Sequence, residues 1–233
     1  MTTIVDQKHH RTVVYLVQDK LAKESIGNQV IHHVSDGDIH RLVLAALREI
    51  SKVFDFNQQH KDELEFGMDG QISNWAVVNF DPQRAQLGET IDLQYIDTST
   101  PLTRKEGIEQ LDPELFLRSA PSFLVWILRW LFLKDVMTRY YDFRSATIDL
   151  VANFYKEQRS ELIPRLVDAV NEFCRAQIQA GEFEPLTVGE IRAYYQQDAW
   201  IWRLYLAFRR IDRSLHRLLG IYYPYILPGS IKR

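Results

Sequence analysis

The chain has 233 residues, 46% hydrophobic and 25% charged, with a net charge of −3, a balance that suits a globular protein able to bury a core and excludes a disordered or fibrous one. Its single cysteine, Cys174, excludes a disulfide framework and a cysteine metal site, and the polar first ten residues lack the apolar run of a signal peptide; both point to a reducing, cytoplasmic setting. Residues 36–118 carry sixteen acids against eight Lys/Arg, whereas residues 200–233 carry seven Lys/Arg against one acid, Asp212, which marks either an interaction face or an attraction within one fold.

Residues 11–18 (RTVVYLVQ) are β-branched and aromatic, as a strand requires. A loop with Gly27 and Asn28 follows, and residues 30–34 read as a second extended piece. Asp36 or Asp38 can cap a helix over 38–57, because a short carboxylate accepts from orphan backbone N–H groups. In that helix Ile39, Leu42, Val43, Leu47, Ile50 and Phe54 recur at helical spacing. Residues 58–71 are polar and read as loop. The runs 75–80 (WAVVNF) and 91–96 (IDLQYI), joined through Asp81-Pro82 and Gly88, predict an antiparallel hairpin. Residues 97–114 read as a polar loop.

Helices are predicted from there onward, over 119–141, 143–158 and 160–179, the last with Pro164 in its first turn and Gly181 as a stop. Thr187 and Glu190 form a capping-box pattern for a final helix reaching Leu219, followed by Gly220 and a proline-rich tail. The apolar run 120–133 is shorter than the ~20 residues of a membrane span and contains Arg129. A core helix with Trp126 and Leu133 buried is expected there, with a helix lying in a membrane interface as the alternative.

The chemistry concentrates in Gly67-Met68-Asp69-Gly70-Gln71-Ile72-Ser73-Asn74-Trp75 and in Ile96-Asp97-Thr98. The order is helix, loop with Asp-x-x-x-x-Asn, strand, turn, strand, Asp. It resembles the C-terminal lobe of protein kinase-like phosphotransferases, including the aminoglycoside and choline kinase-like branch. The resemblance implies that Asp69 is the catalytic base and that Asn74 and Asp97 are metal ligands, with Mg²⁺ and ATP as cofactors of an active member. Hard oxygen ligands suit Mg²⁺, and a carboxylate can accept the proton of an acceptor hydroxyl.

Gly67 and Thr98-Ser99 stand where the family carries His and a Phe-Gly pair, and no glycine-rich loop precedes the first helix. The expectation is therefore an α+β, mainly α fold. Residues 1–35 form a vestigial N-lobe strand and hinge-like segment; residues 36–233 form a helical kinase-like C-lobe with a central β-hairpin. A degenerate kinase-like binding or scaffold module is the first functional expectation, with a protein or small molecule as partner. An Mg–ATP-dependent phosphotransferase acting on a small-molecule hydroxyl, truncated at its N-lobe, is the alternative.

His9-His10 and His32-His33 lack the spacing of a helical metal pair and read as surface histidines, and Cys174 as a core residue. Arg203, Arg210, Arg213 and Arg217 form a stripe that is either a solvated helix face or a site for phosphate groups of a lipid or nucleic acid. No strong nucleic-acid signal and no transmembrane segment is present; peripheral membrane contact stays open.

Overall fold

The computed structural model describes residues 2–6 and 11–15 as backbone, and residues 19–97, 102–112, 138–177, 183–223 and 225–227. The segment 120–133, with Trp126 and Leu133, lies outside the described residues. The described fold is mainly helical α+β, with five α-helices and three small antiparallel sheets.

Strands β1 (Thr2–Asp6) and β2 (Arg11–Tyr15) pair antiparallel. A short helix α1 (Gly27–Val30) then replaces the predicted loop and extended piece. Its backbone bonds run helically, Val30 N to Ile26 O at 2.9 Å and Val34 N to Val30 O at 3.2 Å. Val30 and Ile31 are fully buried, so burial overrides the strand preference of these β-branched residues. His32 and His33 are exposed, as expected.

Helix α2 (Asp36–Gln59) is capped by Ser35, one residue before Asp36 and three before Asp38, the two predicted caps: Ser35 Oγ accepts from Asp38 N at 3.2 Å. Asp36 and Asp38 occupy the first turn, where their charge complements the helix dipole. The predicted apolar stripe is the buried one, with Ile39, Leu42, Val43, Leu47 and Ile50 fully covered. It packs against α3 (Phe143–Lys156) and α4 (Ile163–Gln177), while α5 (Val188–Leu218) lies along α3. Phe154 is fully enclosed in this core; burying a side chain of that kind stabilises by about 1.5–3 kcal/mol. Cys174 is buried. The Thr187 cap is present, its Oγ1 accepting from Glu190 N at 3.2 Å.

Two segments read as loops contain strands: β3 (Leu64–Phe66) pairs with β6 (Thr103–Lys105), and β6 with β7 (Ile108–Glu109). Each is only two or three residues long, so periodicity does not reveal them. Asn57 fixes this sheet to α2: its Nδ2 donates to Phe66 O at 2.7 Å and its Oδ1 accepts from Phe66 N at 2.8 Å.

The predicted hairpin is present as β4 (Trp75–Val77) and β5 (Leu93–Tyr95), shorter than the sequence runs. Trp75 sits opposite Tyr95, their rings edge-on at 5.1 Å, a cross-strand aromatic pair that fixes register. Its long connection is held to α2 by Arg41, whose Nη2 donates to the carbonyls of Gly88 and Glu89.

Candidate functional site

The loop carrying Asp69 leaves β3 and is pressed into place from both sides. A Cβ on Gly67 would stand 2.9 Å from Leu102 Cβ, and one on Gly70 would stand 2.2 Å from Ala146 O. The second approach is closer than any side chain allows, so glycine at position 70 lets the loop lie directly on α3. Met68 N donates to Tyr140 O at 2.8 Å, adding a third anchor.

The loop is closed internally by its own polar groups. Asp69 Oδ1 accepts from Gln71 N at 3.1 Å and Oδ2 from Gln71 Nε2 at 3.4 Å. Asn74 Nδ2 and the Tyr95 hydroxyl each donate to Asp69 O at 3.4 Å. A single helical turn (Ile72–Asn74) then passes directly into β4.

Asp69 and Asp97 line one cleft of about 430 Å³ between α2 and the hairpin, within the size range of small-molecule sites. Tyr95 lies between them in sequence and also lines it. Its hydroxyl is pushed well above its ordinary pKa, first by burial and then by the negative charges of Asp69 and Asp97. Both carboxylates therefore act on one point. Val53, Phe56, Phe66, Met68 and Leu102 supply an apolar wall. Asn74 is not among the lining residues; its amide is turned to the Asp69 carbonyl.

A residue absent from the sequence expectations completes the site. Asp149 on α3 is hydrogen-bonded to Asp69, and the Tyr194 hydroxyl donates to Asp149 Oδ1 at 3.1 Å. The side chain keeps some accessible surface, but its carboxyl group is desolvated. Desolvation and the Asp69 charge together raise the Asp149 pKa well above the usual carboxylate range, against the opposing pull of Arg139. The Asp149 carboxyl is thereby favoured in its protonated form, which can donate to Asp69. The available sequence signal is an acid inside the buried run Ala146–Phe154 of α3; a single such acid has no spacing to mark it.

Behind this pair lies a second, smaller cavity of about 90 Å³, lined by Gln71, Asp149, Asn153, Lys156, Tyr194 and others. Gln71 Oε1 accepts there from Lys156 Nζ at 2.9 Å and Asn153 Nδ2 at 3.3 Å. Gln71 and Asp149 thus link the small cavity to Asp69 on the cleft. Among the described residues no three His, Cys, Asp or Glu gather closely enough to hold a metal by themselves, and no helix is long and apolar enough to cross a membrane.

Residues 2–214, which include every element of this site, match the model of a family of unknown function, DUF6206. The chain belongs to the DUF6206 family. No curated protein and no solved structure matches it. For this DUF6206 member, function rests on the geometry of the Asp69 cleft.

Proposed function

We propose that this DUF6206 chain is a divergent kinase-like domain whose cleft binds a ligand together with a divalent cation, without transferring phosphate. The observation that carries the reading is the joint placement of Asp69 and Asp97 on one cleft, at the two ends of the hairpin β4–β5. The order of α2, Asp69 loop, hairpin and Asp97 supports the likeness to a kinase C-lobe, and the β1–β2 pair supports a strand region ahead of it. Mg²⁺ is held through one or two carboxylates plus water and ligand phosphates, so a three-acid cluster is not required. Asp97, which lines the cleft, would hold the cation, and Asn74, which does not line it, would join only by turning its Oδ1 toward Asp97; when bound the cation would neutralise ligand phosphate charge.

Binding rather than transfer is favoured by the state of Asp69. Its carboxylate already accepts from the Gln71 backbone, the Gln71 amide and the Asp149 carboxyl, which takes three of about four acceptor sites. The lining cation, Lys52, is exposed and ion-paired with Glu49 at 2.7 Å. ATP affinity is therefore expected to be on the order of millimolar, about 4 kcal/mol.

The alternative is phosphoryl transfer to a small-molecule hydroxyl, with Asp69 taking the proton. It is favoured by one observation: Asp69 itself, not only its neighbours, faces the cleft.

Calorimetry and thermal shift with Mg²⁺ and with Mg²⁺–ATP, on the natural chain and on Asp97→Ala, test both readings. A cation-dependent shift lost in Asp97→Ala, with ATP no tighter than millimolar and no turnover, is the expected result. Micromolar ATP binding with turnover that Asp69→Asn abolishes would restore the phosphotransferase. No response to Mg²⁺ in either protein would remove the cation site.

A further inference from the structure

The second half of α5 carries a surface that the cleft does not use. After Ala199 no residue of this helix is buried. Of the fifteen large hydrophobic side chains left exposed among the described residues, eleven lie at or beyond Trp200. At about 100° per residue, Trp200, Leu204, Ile211, Leu215 and Leu218 fall within an arc of about 60°, a single stripe about 27 Å long. All five are exposed, Leu218 at 82%. Isolated apolar residues at a surface need no explanation, but a contiguous stripe does.

Arg203, Arg210 and Arg217 recur every seven residues and form a second exposed stripe beside the first. The half-buried face, with Tyr205, Asp212 and His216, is on the other side. Asp212, the one acid from Trp200 onward, turns inward, 16% exposed, and lies 3.9 Å from His216. The outward side therefore presents apolar residues and guanidinium groups with no acid among them.

Two occupants fit an apolar stripe edged by arginine: an acidic helix of another protein, or the interface of an anionic bilayer. The end of the helix separates them. Past Leu218 the apolar surface continues through Leu219, Ile221, Tyr222 and Ile226, the last 96% exposed, although the chain is no longer helical there. A helix seated in a seam requires the knob spacing to persist; a lipid boundary requires only apolar side chains at a common depth. Arginine suits the margin, because its stem lies along apolar surface while its fork reaches headgroup phosphates.

We propose that the C-terminal half of α5 and the segment after it form a docking surface for anionic membrane, the helix lying in the interface with its apolar stripe inserted and its arginines on lipid phosphates. The proposal is independent of what the cleft binds.

Flotation of the full chain with vesicles of phosphatidylcholine, and with a three-to-one mixture of phosphatidylcholine and phosphatidylserine, tests it. Binding to the mixed vesicles only, weakened by high salt, is expected. Arg210→Glu with Arg217→Glu, and separately Leu218→Asp with Ile226→Asp, should each weaken the partition by about tenfold or more. These positions are exposed, and circular dichroism confirms that each variant is folded before it is scored. Failure to float at low salt would overturn the proposal and favour the acidic helix. Equal binding to both vesicles, or binding that neither pair of substitutions changes, would overturn it as well.

Discussion

Replacing Asp149 by asparagine tests whether the Asp69–Asp149 contact holds a proton. In the natural protein Tyr194 donates to Asp149 Oδ1 and the Asp149 carboxyl is bonded to Asp69. An asparagine amide reproduces both bonds, its oxygen accepting from Tyr194 and its nitrogen donating to Asp69. Near pH 4 the exchange should therefore cost under about 1 kcal/mol, while Asp149→Ala, which strips both bonds, should cost about 2–4 kcal/mol. The pH dependence carries the sharper test. The folded pKa of Asp149 is raised above its ordinary value of 3.8, so the folded state binds the proton that the unfolded state releases. This contribution is fully present below the unfolded pKa and is lost as pH rises toward the folded one. In that window the natural protein should lose about 1.4 kcal/mol per pH unit relative to Asp149→Asn. Urea unfolding of both proteins in steps upward from about pH 4 measures the difference. Parallel profiles, or an asparagine variant as unstable as the alanine one, would refute a protonated Asp149.

Gly70→Ala would place a Cβ 2.2 Å from Ala146 O, forcing the Asp69 loop off α3. A loss of about 1–3 kcal/mol or more is expected in chemical unfolding, and an unchanged midpoint would contradict the close approach. Asn171 is buried and holds Leu186 at both ends, donating to its carbonyl at 2.9 Å and accepting from its N–H at 2.8 Å. Asn171→Ala leaves both backbone groups without a partner and should cost about 2–4 kcal/mol, read as a lowered melting temperature together with faster amide exchange at Leu186.

What the sequence made legible was whatever repeats or caps. Helix α2 was readable from its apolar spacing, α5 from Thr187 and Glu190, and the hairpin from two apolar runs around Asp81-Pro82. Residues 30–34 form a buried helical turn where their β-branched side chains alone predict an extended piece, because such residues serve either when buried. Strands β3, β6 and β7 were hidden because two or three residues carry no period. At the cleft, the placement of Asp69 and Asp97 side by side was legible in their order around the hairpin. Asp149 was missed because its meaning depends on the folding of α3 against a loop eighty residues earlier, a relation no local pattern contains.

The pairing of β3 with β6 joins Leu64 to Lys105 and closes the segment that carries both cleft carboxylates. Closing a chain segment costs entropy that grows only with the logarithm of its length, about 0.6 kcal/mol for each doubling. Once the junction forms, the connection between Val78 and Asp92 lies inside a loop that is already closed. Residues added to that connection would lengthen the loop without moving Asp69 or Asp97, provided that Arg41 keeps its hold on Gly88 and Glu89. The exposed stretch 81–86 of that connection, ahead of the buried Leu87, is thus a place where this architecture can accept new sequence, and new specificity, at little cost to its stability.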